Sequence, residues 1–301
     1  MLCMKWQVKL LIQSVLAHAP GGERVNYRLQ WLNGRYEPVR MKSRVLEQAR
    51  RLSKLIPHIQ NGVIVEVGTG WELITPILFY LFGSSRIHTY DHVRHLRFEV
   101  PQIVINSLDS TELSEISGLP ERELQERIHI LKKCSTLDNL LTVTQIEYFA
   151  PGDACKTGLT PHSIDLFFTY EVLEHVPEAV LDGLVAESKR ILKPTGIAYH
   201  AIEPGDHYTR DDSHINHYRY PEWFWAPMVK NNISYHNRLI ASQFMKCFEK
   251  YGALISLVNN KVSEREIAAL RNGFRTNSRF SSFSPEDLAV WYSEVIYSFP
   301  S

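Results

Sequence analysis

The chain has 301 residues, and 33 Lys+Arg balance 33 Asp+Glu, so the formal net charge at pH 7 is zero. Because binding to a nucleic-acid backbone needs a basic excess, this balance predicts that no nucleic acid is a partner. The composition, 44% hydrophobic and 22% charged, is that of an ordinary globular protein, with room for one large domain or two small ones. The four cysteines are scattered and form no metal-binding or redox pair, which favours free thiols and a cytoplasmic location.

The first 60 residues predict an N-terminal helical segment. Residues 1–19 are similar to a short signal peptide, but Pro20 and the brief apolar core favour an amphipathic helix instead. Two further helices are expected at 24–32 and 39–56 from their apolar spacing. No apolar run approaches the roughly 20 residues of a membrane span.

From residue 63 onward, short apolar strands alternate with helical patterns. Strands are expected at 63–67, 87–90, 146–149, 163–170, 197–202, 254–258 and within 288–299. Helices are expected at 73–82, 177–192 and 239–251; residues 93–144 form a helical insertion, and residues 203–237 form a loop-rich region on the substrate side. This alternation predicts an α/β fold with a doubly wound, mostly parallel sheet covered by helices on both faces.

The most informative pattern lies in residues 63–72. An apolar strand ends in Glu66, and two glycines follow, Gly68 and Gly70, before the next helix. The second strand then ends in another acid, Asp91. A buried strand, a glycine turn and a helix form a cradle for a nucleotide, and the acid after the next strand can hold ribose hydroxyls.

Taken together, the motifs resemble those of the class I S-adenosylmethionine-dependent methyltransferases over roughly residues 60–300. Four segments are similar to the first four motifs of that family, in order: Glu66-Val-Gly-Thr-Gly70, Asp91, Gly152-Asp-Ala154, and Ile164–Phe168 with Glu171–His175. The resemblance implies a Rossmann-like, seven-stranded sheet with an antiparallel last strand. It also implies S-adenosyl-L-methionine as the cofactor and residues 61–301 as the methyltransferase domain.

The resemblance also implies a set of cofactor-binding residues: Glu66, Gly68, Thr69, Gly70, Asp91, Asp153, Ala154 and Glu171. In that set Asp91 accepts from the ribose hydroxyls, Asp153 accepts from the adenine amino group, and the Ala154 amide donates to the ring. A simple helix cap is the alternative for Asp91. The chain departs from the family at Glu72, where a third glycine is common, so a wider turn or a different carboxylate contact is expected there.

Candidate catalytic groups lie on two segments. Glu171, Glu174 and His175 share a helical face by spacing, and the resemblance places them beside the sulfonium, where His175 can also serve only in packing. Residues 206–217 follow the fifth strand and hold three histidines and three aspartates. A histidine there can take a proton from a hydroxyl, and His207 is favoured over His214 and His217, although scaffolding is an equal alternative. No metal site is predicted, because the spacing matches no fixed ligand pattern.

The sequence therefore predicts an S-adenosylmethionine-dependent methyltransferase that O-methylates a small-molecule or glycan acceptor. The neutral charge, the histidines and a weaker resemblance of residues 19–24 and 235–239 to glycan and capsule methyltransferases favour this acceptor class. One alternative is an NAD(P)-dependent oxidoreductase on a Rossmann fold, which the missing third glycine disfavours. Another is a non-catalytic protein that binds S-adenosylmethionine. The oligomeric state is not predicted.

Overall fold

The computed structural model of the protein describes residues 22–209, 212–229 and 235–300. The helix expected at 1–19 lies outside the described residues. The chain divides into two compact units. The first, here called the cradle unit, contains Gln30–Thr169 and Ala186–Tyr199; the second, the histidine unit, contains Tyr170–Val185 and His200–Pro300 together with residues 22–29. Among the described residues, no helix has the length and apolar character needed to cross a membrane.

Seven strands form one sheet in the order β3-β2-β1-β4-β5-β7-β6. β1 pairs in parallel with β2 and β4, β2 pairs in parallel with β3, and β7 pairs antiparallel with β6. The predicted seven-stranded sheet with its antiparallel last strand is confirmed. The strands are β1 (Val63–Val67), β2 (Arg86–Tyr90), β3 (Ile146–Phe149), β4 (Ile164–Tyr170), β5 (Leu192–Ile202), β6 (Leu254–Val262) and β7 (Val290–Ser298).

The helices lie before and between the strands. Up to β3 they are α1 (Gly22–Leu32), α2 (Pro38–Ser53), α3 (Ile56–Ile59), α4 (Ile74–Leu81), α5 (Glu99–Asn106), α6 (Ser110–Ser117), α7 (Glu121–Lys132) and α8 (Leu137–Val143). After β4 they are α9 (Glu178–Ile191), α10 (Glu222–Val229), α11 (Ala241–Lys250), α12 (Glu264–Arg271) and α13 (Pro285–Leu288). Short 3-10 helices occur at Leu173–His175, Asn216–Arg219 and Ser278–Phe280.

The core of the cradle unit explains why β1 ends in a fixed turn. Ile64 and Val65 are fully buried, as expected for a parallel strand covered on both faces. The ring of Phe79 on α4 meets Phe168 on β4 edge-on at 5.3 Å between centroids, and Phe168 stacks on Tyr199 at 5.2 Å. These aromatic contacts hold α4 against the sheet and so fix the segment that joins β1 to α4.

Two strands are longer than the sequence indicated. β5 begins at Leu192 rather than at residue 197, and the Lys193 ammonium lies 2.7 Å from a carboxylate oxygen of Asp165 on β4. β6 continues to Val262 through residues 259–261, whose polar character suggested a loop. β6 is an edge strand with exposed side chains, so polar residues are tolerated there while the backbone pairs with β7.

The helical insertion at 93–144 is confirmed as α5 to α8. The expectation that residues 203–237 are loop-rich is wrong in part, because they contain α10. Pro227 lies inside that helix, which is why the sequence favoured a loop. Trp225 of α10 is 2% exposed, so burial of an aromatic side chain stabilises a helix that propensity alone does not predict.

Candidate functional site

The turn between β1 and α4 is built from backbone that only glycine adopts easily. Gly68 has a φ of 93° and Gly70 a φ of 63°, both in the left-handed region. The Gly68 amide donates to the Tyr90 carbonyl of β2 at 2.8 Å. A Cβ built on Gly70 meets nothing closer than the Gly68 carbonyl oxygen at 4.0 Å, so the backbone at Gly70 faces open space. A ligand can therefore approach this turn closely.

Asp91 joins the end of β2 to that turn. One carboxylate oxygen accepts from the Gly70 amide at 2.8 Å, and the other accepts from the Val93 amide at 3.2 Å. Burial alone would raise the pKa of Asp91, but hydrogen bonds from His92 and from the two amides outweigh it and lower the pKa. The helix cap considered for Asp91 is not formed, because Val93 is not helical and the next helix begins at Glu99. Asp91 Oδ1 also lies 3.1 Å from His92 Nδ1, so the second lone pair that remains for a ribose hydroxyl is on Oδ2.

Glu66 and two threonines order the turn from beneath. The Thr89 hydroxyl donates to Glu66 at 2.6 Å, and the hydroxyls of Thr69 and Thr89 lie 2.5 Å apart. Glu66 is buried, and this burial raises its pKa to about 8 against the opposing hydrogen bond from Thr89. The carboxyl group therefore carries a proton near neutral pH in the protein alone.

Glu72, at the place of the missing third glycine, takes a different carboxylate contact. Its carboxylate lies 2.6 Å from the Arg44 guanidinium and 2.8 Å from that of Arg35. Burial would raise the pKa of Glu72, but the two guanidiniums outweigh it and the pKa is lowered. The turn is thereby tied to α2 and to the loop that precedes it. Arg35 and Arg44 could not be predicted as partners of Glu72, because they are far from it in the chain.

The third motif lies beside the end of β2. The Gly152 amide donates to the Asp91 carbonyl at 2.8 Å, which holds the segment after β3 in place. Asp153 is exposed, and one of its carboxylate oxygens accepts from the Cys155 amide at 2.9 Å. Ala154 is 9% exposed. The predicted residues of the cradle unit therefore gather at the carboxyl ends of three neighbouring parallel strands, where α/β sheets bind ligands.

These observations fit S-adenosylmethionine. Gly70 faces open space, and the Asp153 carboxylate is exposed after β3. The pKa of Asp91 is lowered, so its carboxylate is ionised, and Oδ2 can accept one more hydrogen bond. We name this group of residues on β1, β2 and β3 and their following turns the cradle. The remaining predicted cofactor residue, Glu171, belongs to the histidine unit.

The prediction that Glu171, Glu174 and His175 share a helical face is wrong. Glu171 has a φ of 51° and donates its amide to the Ala201 carbonyl at 2.8 Å, so it lies outside any helix. Only Leu173–His175 forms a 3-10 turn. A left-handed conformation costs a non-glycine residue about 1–2 kcal/mol. Such strain is concentrated at functional sites, and here it follows directly after β4.

Four histidines of the histidine unit lie close together, and we name them the histidine cluster: His175, His207, His217 and His236. Ring centroids are 5.0 Å apart for His175 and His207, 4.8 Å for His207 and His236, and 5.3 Å for His217 and His236. The predicted candidates His175 and His207 are thus brought together. The structure places His214 elsewhere, stacked on Trp291 at 5.2 Å.

Two members of the histidine cluster are neutral scaffold. His217 and His236 are buried, and burial lowers the pKa of each well below its usual value. His236 Nδ1 accepts from the Arg238 amide at 3.0 Å. His175 is exposed and His207 is half-buried, so a ligand in solution can reach these two rings.

Two glutamates lie against the cluster: Glu174, which the sequence predicted as a candidate, and Glu203, which it did not. Glu203 follows directly after β5. His207 Nε2 lies 3.0 Å from the carbonyl oxygen of Glu203 and 3.6 Å from its carboxylate. Glu174 accepts from the Glu203 amide at 3.3 Å. The position of Glu203 directly after a strand could have identified it. Nothing in the sequence marks His236.

A comparison with protein families finds a model that matches part of the chain. Residues 125–200 match the family described as a methyltransferase domain. The match agrees, over these residues, with the predicted S-adenosylmethionine-dependent methyltransferase. A comparison with curated proteins finds no match.

Several solved structures are similar in fold. A Bacillus halodurans C-125 protein described as a methyltransferase is 15% identical, with a TM-score of 0.46 over 85% of this chain and 100% of that chain. Geranyl diphosphate methyltransferase in complex with SAM is 12% identical, with a TM-score of 0.46 over 84% of each chain. An S-adenosylmethionine-dependent methyltransferase from Mesorhizobium loti is 15% identical, with a TM-score of 0.44 over 82% of this chain and 95% of that chain.

Proposed function

We propose that this protein transfers the methyl group of S-adenosylmethionine to a hydroxyl oxygen of a small-molecule or glycan acceptor. The observation that carries the proposal is the pair formed by His207 and Glu203, in which the imidazole and the carboxylate are 3.6 Å apart. S-adenosylmethionine supplies an electrophilic methyl carbon on a sulfonium sulfur. The residues of the chain have to bind and orient the acceptor and remove its proton.

A base is useful chiefly when the acceptor atom is a hydroxyl oxygen. A hydroxyl must lose its proton as the methyl group arrives, whereas the lone pair of a neutral amine attacks without prior deprotonation. Histidine has an unperturbed pKa near working pH, so it can take that proton. The Glu203 carboxylate would stabilise the imidazolium that results, as a carboxylate does beside histidine in hydrolytic triads.

The remaining predicted site residues take positioning roles in this proposal. His175, whose ring lies beside His207, would contact the acceptor. His214 is given no role in the chemistry, because its ring stacks on Trp291. In the cradle, Asp153 would accept from adenine, Asp91 from the ribose, and the glycine turn would lie against the methionine portion of the cofactor.

The location and partners of the enzyme are proposed on simpler grounds. Cys134, Cys155 and Cys247 form no disulfide bond among the described residues, which supports a reducing, cytoplasmic compartment. The zero net charge supports an acceptor other than nucleic acid. Residues 61–301 remain the proposed catalytic domain.

The proposal is tested by methyl transfer from tritiated S-adenosylmethionine to glycan, lipid and small-molecule fractions of the source cell. We expect the label on the oxygen of a former hydroxyl group, recovered as a methyl ether. Label recovered only on nitrogen would contradict the proposal.

The base is tested with His207→Gln, whose side-chain amide can still donate to the Glu203 carbonyl. We expect turnover to fall by about 10²–10⁴-fold, the usual contribution of a general base. The affinity for S-adenosylhomocysteine, measured by calorimetry, should stay unchanged. His162→Gln is a matched control, because His162 bonds the Leu192 carbonyl in the cradle unit. Unchanged turnover in the first variant removes His207 from the chemistry.

A further inference from the structure

Three side chains of the histidine unit offer ligand atoms to one point. Glu174, His175 and His207 each present one donor atom, and these atoms all lie within 4.8 Å of one another. With metal–ligand bonds of about 2.1 Å, two ligands of one ion are separated by at most about 4.2 Å. Small side-chain rotations therefore bring the three donors to bonding distance.

Hydrogen bonds to backbone carbonyls orient both imidazole rings. His175 Nδ1 lies 2.6 Å from the Tyr235 carbonyl oxygen, and His207 Nε2 lies 3.0 Å from the Glu203 carbonyl oxygen. A carbonyl only accepts, so each of these nitrogens carries the hydrogen. In the neutral rings the lone pair is then on Nε2 of His175 and on Nδ1 of His207. Metal-binding histidines typically have this arrangement.

Glu174 supplies a buried carboxyl group. It is 0% exposed, and its Oε2 has no hydrogen-bond partner among the described residues. A buried carboxylate oxygen without a partner is costly, and a bound cation would satisfy it.

We propose that Glu174, His175 and His207 form a binding site for a divalent transition-metal ion. Two imidazole nitrogens and one carboxylate oxygen suit Zn²⁺, Mn²⁺ or Fe²⁺ and leave further coordination positions open, whereas Mg²⁺ prefers oxygen donors. His236 is excluded as a ligand through Nδ1, because that atom accepts from the Arg238 amide. The sequence predicted no metal site because these residues are separated by no standard spacing.

The ion would deepen the proposed function, and this role rests on that function. An acceptor hydroxyl bound to a divalent ion loses its proton more readily. The ion and a proton compete for the same lone pair of His207. His207 therefore acts as a base only in the ion-free protein. In the loaded protein it would be a ligand, and the proton of the ion-bound hydroxyl would pass to solvent water.

The site is tested by titrating ZnCl₂, MnCl₂ and MgCl₂ separately into the full-length, tag-free, chelator-treated protein by calorimetry. We expect one Zn²⁺ or Mn²⁺ per chain and at least tenfold weaker binding of Mg²⁺. Glu174→Gln, His175→Asn and His207→Gln each remove a donor, while the new amides can retain the carbonyl or amide hydrogen bonds. Each variant should lose at least about tenfold in affinity for the preferred ion, as measured for altered metal sites.

The control variant is His129→Asn, because His129 is exposed on α7 in the cradle unit. It should bind the ion as the natural protein does. Circular dichroism melting verifies that each variant is folded. Absence of Zn²⁺ and Mn²⁺ binding, or undiminished binding in the three folded variants, overturns the metal site. His207-dependent methylation of a hydroxyl by the metal-free enzyme would leave the proposed function intact in that case.

Discussion

The carboxyl groups of the cradle unit and of the histidine unit differ in their hydrogen-bond partners. In the cradle unit, Asp91 accepts from two backbone amides, and Glu72 is paired with two arginines. In the histidine unit, Glu174 keeps a buried oxygen without a hydrogen-bond partner among the described residues. The first arrangement fixes a turn, whereas the second leaves a polar group that a ligand can satisfy.

The difference shows how framework and reactive groups can be distinguished in one enzyme. Carboxylates that accept from backbone amides or pair with arginines rigidify the backbone that receives a cofactor. Rigid placement is the main contribution of a protein to cofactor chemistry. An unsatisfied buried group costs stability and is retained where it serves binding or chemistry.

The largest expected effect concerns Glu66 in the cradle. Its pKa is about 8 in the protein and near 4.5 when unfolded, so the folded state holds the proton between these values. Stability is therefore highest below pH 4.5 and falls as the pH rises towards 8, by about 1.4 kcal/mol per pH unit. The change from pH 5 to pH 8 would be about 4 kcal/mol.

Urea unfolding of the natural protein and of Glu66→Gln at pH 5, 6.5 and 8 measures this effect. The difference between the two proteins isolates the carboxyl group from all other titrating groups. Equal pH dependence in both proteins would show that Glu66 is ionised in the folded state.

A substitution in the glycine turn should chiefly affect cofactor binding. Gly70→Val places a branched side chain in the open space and disfavours a φ of 63°. We expect the affinity for S-adenosylhomocysteine to fall by about 100-fold, or about 2.7 kcal/mol, in a calorimetric titration. Gly118→Val is the matched control, since Gly118 has a φ of 71° and open space at the end of α6. Similar losses of affinity in both variants would attribute the effect to general destabilisation.

The histidine unit should respond to pH with the opposite sign. His200 is buried, and burial lowers its pKa to about 3, so unfolding allows it to gain a proton below pH 6.5. Its stabilising contribution is present above pH 6.5 and is lost as the pH falls, by about 2 kcal/mol between pH 6.5 and pH 5. Urea unfolding of His200→Gln should show this loss reduced, and the exposed His129→Gln should not. A normal acid response in His200→Gln would contradict the assignment.

The smallest expected effect concerns the arginine pair of the cradle. Glu72→Gln removes the negative charge between Arg35 and Arg44, which are partly exposed and can be rehydrated. We expect a loss of about 1 kcal/mol in the free energy of unfolding, measured in urea at pH 7. The exposed pair of Glu126 and Arg122 is the control, and Glu126→Gln should cost less than about 0.5 kcal/mol. A loss in Glu72→Gln no larger than in this control would show that the pair does not stabilise the turn.

Much of the cradle follows from local sequence. The strand at 63–67, the two glycines and the acid at the end of β2 are close in the chain, and each imposes its own backbone geometry. Hydrophobic period and glycine conformation act over a few residues, so the alternating strands and the parallel sheet were predicted. The strand and helix ends were less accurate where polar residues pair at the edge, as in β6, or where an aromatic residue is buried, as in α10.

Tertiary structure alone decided the histidine cluster and the partners of Glu72. His175, His207 and His236 belong to separate segments, and only folding brings their rings within about 6 Å. The arginines that pair with Glu72 likewise come from a distant helix and loop. The sequence determined which backbone could form a turn at the strand ends, because that depends on neighbouring residues. It could not determine which side chains meet, because such contacts depend on packing between distant segments.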